Sequence, residues 1–290
     1  MEQFKIFTDS CCDLPAALAK ELDIEVLPLS VHFKGGTYPN YLDGSALSIQ
    51  DFYNGLREGE MPTTSAVNPE AWSQAMRPHL AQGRDVLVLA FSSNLSTTCN
   101  SAMIAAQELQ EEFPDRKILV VDTLSASVGQ GLLVYLACEK QRAGATIDEV
   151  YQYVEDNKLH VAHWVAVDDL MHLKRGGRLN AATAVVGSML KIKPIIHVDD
   201  EGKLINVAKA RGRKASLDTL VDKLGATGID VQNQVVFLSH SDCLEDAEYI
   251  KKAVVERYHP KDFITSDIGP VIGSHTGIGT LALCFLATQR

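Results

Sequence analysis

The groups able to hold or transform a ligand fall in a few short stretches of the chain. Near its end, Gly269, Gly273, Gly277 and Gly279 surround His275 in the run Ile268-Gly269-Pro270-Val271-Ile272-Gly273-Ser274-His275-Thr276-Gly277-Ile278-Gly279-Thr280. Glycines permit positive φ and let backbone N–H groups approach a ligand without a Cβ in the way, so a histidine among them can stand at a pocket wall. The plainer reading is a tight turn before a last apolar strand over 281–287, capped by the histidine. Two hydroxyl clusters, Thr63-Thr64-Ser65 and Ser92-Ser93-Asn94-Leu95-Ser96-Thr97-Thr98, each lead into a helix-forming stretch. Hydroxyls and free N–H groups at a helix N-terminus attract anions, although each cluster alone reads equally well as a cap. Lys174-Arg175-Gly176-Gly177-Arg178 sets three cations around two glycines; a helix C-cap explains the first two, and Arg178 lies beyond the pair, better placed to point inward. Thr8-Asp9-Ser10 is either a catalytic triplet or a strand-end cap.

Other chemistries lack their groups. No H-E-x-x-H or paired Cys/His spacing marks a metal site. Cysteines 11, 12, 99, 138, 243 and 284 include no C-x-x-C pair, and reduced, buried thiols are expected. The formal charge of -10 argues against general nucleic-acid affinity. Lys203, Lys209, Arg211, Arg213 and Lys214 reverse that sign locally, which fits either a solvated edge strand or the docking of an acidic partner. No run of about 18 apolar residues is present, and the first residues lack a signal peptide's apolar core, so a cytoplasmic protein is expected.

These groups need elements to position them. Strands are expected over 4–8, 24–33, 85–90 and 117–121, with Pro28 placing the second at an edge or irregular position. Helices are expected between them, one capped by Asp13 and running to residue 22, another over 69–82, and others to about residues 113 and 142. Residues 34–48 and 62–69 read as loops. Alternating strands and helices predict an α/β fold with a doubly wound parallel sheet, in which ligands gather beyond the carboxyl ends of the strands. From there the chain reads as a capped helix over 146–157, strands over 159–167, 193–198, 234–239 and 263–267, and helices over 180–190, 216–224 and 242–258. That is a second, mixed α/β layer, and the expected domains are 1–160 and 161–290.

Taken together and in order, Thr8-Asp9-Ser10 with Asp13-Leu14-Pro15, Thr64-Ser65, Ser92-Ser93 through Leu95-Ser96 and Thr98, Gly176-Gly177-Arg178-Leu179, and Gly269-Pro270-Val271-Ile272-Gly273 with His275 resemble the DegV family of bacterial fatty-acid-binding proteins. Asn94 and Thr97 stand where glycines are common there, and Ile278 replaces a frequent proline. The resemblance implies a two-domain DegV-like fold and a lipid carrier rather than an enzyme. It implies that Thr64, Ser96, Arg178 and His275 surround a fatty-acid carboxylate, with Ser65 beside Thr64 and Ser93 the neighbouring alternative to Ser96. The acyl chain is expected in an apolar tunnel within the second domain. The bound fatty acid is then the ligand, with no cofactor. The partner implied is the ATP-binding subunit of a fatty-acid kinase, as for the acyl-carrying subunit FakB, with transient contact at a membrane surface. The chain has no G-x-x-x-x-G-K-[ST] loop to bind ATP itself. Arg211, Arg213 and Lys214 are the expected docking cations.

Two hydroxyls, a histidine and an arginine would supply the donors that a buried carboxylate requires. The rival reading is a serine hydrolase acting on acyl esters, with Ser96 or Ser93 as nucleophile, His275 as base and Asp9 or Asp122 as orienter, although no G-x-S-x-G elbow is present.

Overall fold

The computed structural model describes residues 4–168, 170–179 and 192–290; the helix expected over 180–190 lies outside them. In chain order the elements are β1 (Lys5–Asp9), α1 (Ala16–Glu21), β2 (Glu25–Leu27), β3 (Ser30–Phe33), β4 (Gly36–Pro39), α2 (Ile49–Arg57), β5 (Thr63–Ser65), α3 (Pro69–Ala81), β6 (Val86–Ala90), α4 (Thr98–Glu112), β7 (Ile118–Asp122), α5 (Val128–Arg142) and α6 (Ile147–Asn157). They continue with β8 (Val161–Ala166), α7 (Met171–Arg175), β9 (Ile192–Val198), β10 (Leu204–Arg211), α8 (Arg213–Thr227), β11 (Val235–His240), α9 (Leu244–Tyr258), β12 (Asp262–Asp267), α10 (Pro270–Thr276) and β13 (Leu281–Leu286).

The first sheet is parallel throughout, in the order β2-β1-β6-β7. The second, β10-β9-β8-β13-β11-β12, is mixed, with β11 and β12 its parallel pair. The expected α/β class with a parallel and a mixed sheet is the observed one. A third, antiparallel sheet, β4-β3-β5, was not expected. Residues 24–33 were read as one strand, but Pro28, which lacks an N–H for the ladder, separates β2 from β3 and lets the chain change sheets. The supposed loop after it is a hairpin, turned by Lys34 and Gly35, both at positive φ (47° and 78°). That geometry fits the right-handed strand twist, but lysine in it is a poor turn signal. The hydroxyl-rich loop over 62–69 likewise contains β5.

Asp13 does not cap α1, which has no side-chain cap. It stands at φ 48°, accepting from Ser127 Oγ (2.5 Å) and from the Gly269 N–H (2.9 Å). Thr8-Asp9-Ser10 is the capping alternative: Thr8 Oγ1 donates to Leu89 O, Asp9 accepts from Cys11 and Phe91 N–H groups, and Ser10 Oγ accepts from Leu29 N–H.

Helix α5 organises the layers. Its residues from Val128 to Val134 are all buried, the pattern of a helix covered on every side. Leu132, Leu133 and Ala137 pack in one cluster with Ile6, Leu87, Leu89 and Val121 of the parallel sheet and Val161, Phe237 and Cys284 of the mixed sheet. The outer face of the parallel sheet carries α3 and α4 through Trp72, Met76 and Ala102. The outer face of the mixed sheet carries α8 and α9 through Leu217, Leu220, Ile250 and Val254. Among the described residues no helix is long and apolar enough to cross a membrane.

Two glycines let α5 lie this close. A Cβ at Gly131 would fall 2.7 Å from the Cys12 carbonyl oxygen, and one at Gly129 2.0 Å from His163 Nε2. In an exposed helix Gly→Ala would stabilise by about 1 kcal/mol. Here Gly131→Ala is expected to destabilise by about 1–3 kcal/mol, because backbone must move to admit the methyl; urea unfolding that gives a gain in stability would refute this close approach.

Candidate functional site

In the parallel sheet the chain leaves β1 toward β2 on one side, while β6 leads to β7 on the other, so the connections diverge between β1 and β6. Such a reversal leaves a crevice beyond the strand ends. Beyond it lies a cavity of about 480 Å³. One wall is made by Leu29, Phe91, Ala126 and Ile268, which follow β2, β6, β7 and β12. The opposite floor is the face of the mixed sheet that α5 leaves uncovered. There strand alternation turns His163 and Val165 inward while Trp164 and Ala166 pack against α8. The cavity therefore takes its walls from both halves of the chain, whereas the tunnel was expected within the second half.

Most of the expected polar groups reach this cavity. Thr64, Ser93, Ser96, Arg178 and His275 all line the cavity, although they come from β5, the β6–α4 loop, the turn after α7, and α10. The glycine-rich stretch is thus a short helix, with His275 in its last turn. Thr64 Oγ1 and His275 Nε2 are 2.8 Å apart. His275 Nδ1 is buried without a partner, and a Cβ at Gly176 would fall 2.3 Å from it, so that glycine forms the backing of the imidazole. An orphaned buried N–H is rarer than an orphaned acceptor, which favours the tautomer with its proton on Nε2. Thr64 Oγ1 then accepts from the ring, and its own hydroxyl proton is left to donate into the cavity. Burial, and secondly the nearby Arg178 charge, push His275 down from 6.5 to about 4, so the ring is neutral near pH 7.

Arg178 donates through Nε to Leu95 O (3.2 Å) and through Nη1 to Gly176 O, which anchors the guanidinium across the Ser92–Thr97 loop, with no carboxylate partner among the described residues. Ser96 Oγ bonds Thr98 Oγ1 (2.9 Å) and accepts from the Thr98 N–H, so it tightens the first turn of α4. Ser93 lines the cavity, held by its backbone N–H to Asp122 Oδ1 (3.2 Å), and its hydroxyl has no bonded partner among the described residues. Ser65 departs from expectation: alternation along β5 sends Thr64 inward and Ser65 outward, where its Oγ meets His32 Nε2 at 2.7 Å.

The hydrolase triad is not assembled. The Asp9 carboxylate is used by the Cys11 and Phe91 N–H groups and by Gln130, and Asp122 by Ser93 and Leu124 N–H groups. Neither reaches His275, whose hydroxyl partner is Thr64. The expected docking cations do not form one free surface. Arg213 pairs with Asp246 (2.8 Å) and Asp168 (3.3 Å), and Lys214 with Asp218 (3.0 Å). Arg211 is exposed on β10 beside Lys209, at the edge of the mixed sheet. No group of three or more His, Cys, Asp and Glu able to hold a metal occurs among the described residues.

A second cleft of about 270 Å³, not foreseen from the sequence, adjoins the first. It is bordered by Met61, Thr63, His172 and Arg175 and shares Thr64, Arg178 and His275 with the main cavity. Those three side chains line both spaces and so form the partition between them. The Gly176-Gly177 pair carried part of this signal, since one glycine admits the imidazole and the other turns the chain at φ 68°.

The whole arrangement has close parallels. A DegV domain-containing protein of Clostridium perfringens is 49% identical over 290 residues, covering 100% of this chain and 99% of that protein. Among solved structures, a DegV lipid-binding protein from Thermotoga maritima is similar with a TM-score of 0.87 at 31% identity, covering 99% of both chains. A DegV family protein from Thermus thermophilus, described by its fatty-acid binding, has a TM-score of 0.87 at 30% identity, covering 98% of this chain and 99% of its own. The family described as DegV matches residues 3–288. With both sheets, the cavity between them and nearly every residue inside that match, the chain belongs to the DegV family.

Proposed function

We propose that this protein binds a long-chain fatty acid, with the carboxylate at the Thr64–His275–Arg178 partition and the acyl chain along the floor of the mixed sheet, and presents the head group to a separate fatty-acid kinase. The observation that carries the reading is a largely apolar cavity that Thr64, Ser93, Arg178 and His275 all line, with Thr64 and His275 in contact. Each buried CH₂ is worth roughly 0.8 kcal/mol, so affinity comes from the chamber, and the donors fix orientation. Thr64 Oγ–H, Arg178 and the free hydroxyl of Ser93 are the donors in reach, and Ser93 suits the role better than Ser96, which is engaged with Thr98. The related Thermotoga and Thermus structures, described as lipid- and fatty-acid-binding, support the same ligand class. What supports the carrier role is that the same three residues also line the second cleft, from which a phosphoryl donor on another protein could reach a carboxylate held there.

Three measurements test this. Solvent extraction of the purified protein followed by mass spectrometry is expected to release a long-chain fatty acid; a chamber that retains none from an offered mixture overturns the ligand class. His275→Ala and Arg178→Ala should each weaken retention by about 1–3 kcal/mol, with Ser65→Ala unchanged. Mixing the loaded protein with ATP and a fatty-acid kinase subunit should yield acyl phosphate, trapped as hydroxamate; none formed removes the kinase role and leaves the binding role.

The histidine gives a pH signature. In the free protein its ring should stay neutral from pH 8 down to about 5, since burial holds it near 4. A bound carboxylate is an opposite charge and must raise that value. Nitrogen-detected NMR that finds His275 titrating near 6.5 in the ligand-free protein would contradict the buried, neutral ring.

A further inference from the structure

We infer that His163 is the end wall of the chamber and sets the length of acyl chain that the protein retains. The inference rests on the fatty-acid reading above and names the residue that limits it. The register of the mixed sheet orders the floor into rungs. Near the partition stand Thr280 and Val167, then Ala282, Val165 and Ile196, and last His163 beside Val198. From Val167, just past β8, to His163 is four residue steps, about 13 Å at ~3.3 Å each. One step further along the same face, Val161 already belongs to the core packed by α5.

The imidazole is placed to be rigid. It is 2% exposed, and its Nε2 accepts from the Ala126 N–H (3.4 Å), which puts the ring proton on Nδ1, where it donates to Val161 O (3.0 Å). Its edge lies against the backbone of α5 at Gly129, where any Cβ would collide with it. The same Val161 carbonyl accepts from Arg290 Nε (3.2 Å). That guanidinium also donates to Asp199 O (3.2 Å) and to Ser125 Oγ (2.8 Å), and so braces the strand ends behind the wall. Burial holds His163 well below 6.5, so the wall stays neutral across the physiological range. A methyl terminus meeting this ring has no side chain to displace. A longer chain must leave methylenes in water at the mouth or move α5.

The test offers delipidated protein a mixture of saturated fatty acids of increasing length and reads the retained series by mass spectrometry. His163→Ala should move the cutoff to longer chains, with about a tenfold gain in relative retention of a chain two methylenes past the wild-type limit. Val198→Phe, which narrows the same rung from the opposite strand, should move it to shorter chains. It carries the test alone if His163→Ala fails to fold by circular dichroism. An unchanged cutoff in the folded variants overturns the end wall. Wild-type protein that retains no fatty acid of any length overturns the ligand reading instead.

Discussion

The structure depends on one spacing. A helix with its side chains is about 10 Å across, and α5 holds the parallel and mixed sheets apart by that width. Over most of its length its own side chains fill the gap. Before Val128 no helix fills it among the described residues, and Ala126 and Ser127 line the cavity instead. An empty apolar gap forfeits the contacts that close packing would provide, so the region favours either collapse or an apolar guest. The layered architecture and the ligand chamber thus share a cause: the chamber is where the spacer ends.

Collapse is opposed by polar groups that fix the rim. Asp13 ties Ser127, at the start of α5, to Gly269, at the start of α10, and Ser127 in turn meets Ser239 of the mixed sheet at 2.9 Å. Asp9 likewise holds the β6 loop through Phe91. Burial raises Asp9 to about 6 and Asp13 to about 7, partly offset by these hydrogen bonds. Because the folded state binds more protons than the unfolded chain between about pH 4 and 7, their contribution to stability is lost as pH rises through that window. His275, depressed below its unfolded value, acts in the opposite sense: the unfolded chain takes up its proton first, so stability falls as pH drops from 6.5 toward 4. The rim thus balances two opposing titrations.

Much of this was legible in the chain. Strand–helix alternation gave the parallel sheet, and the capping pair Thr146 and Glu149 marked α6 as found. The hydroxyl loops and Arg178 were picked out individually, yet Ser65 was grouped with Thr64 because a loop reading carries no facing rule. Once residues 63–65 are a strand, alternation decides between Thr64 and Ser65. Recognising that strand requires its partner β3, which Pro28 had hidden inside a single longer run. The spacing between sheets, the second cleft and the wall at His163 depend on packing across long sequence separations, which periodicity does not encode.

Thr64 and His275 meet across 211 residues of sequence. Contacts of that reach are assembled only after the intervening chain has ordered, and such topologies fold slowly. A site made this way has no counterpart in a partly folded chain, so any occupant recognises the finished molecule alone. By mass action it then adds RT ln(1 + [L]/Kd) to the folding free energy. The cargo would act as a thermodynamic seal on its own container, and the empty protein would be the form most exposed to unfolding and proteolysis.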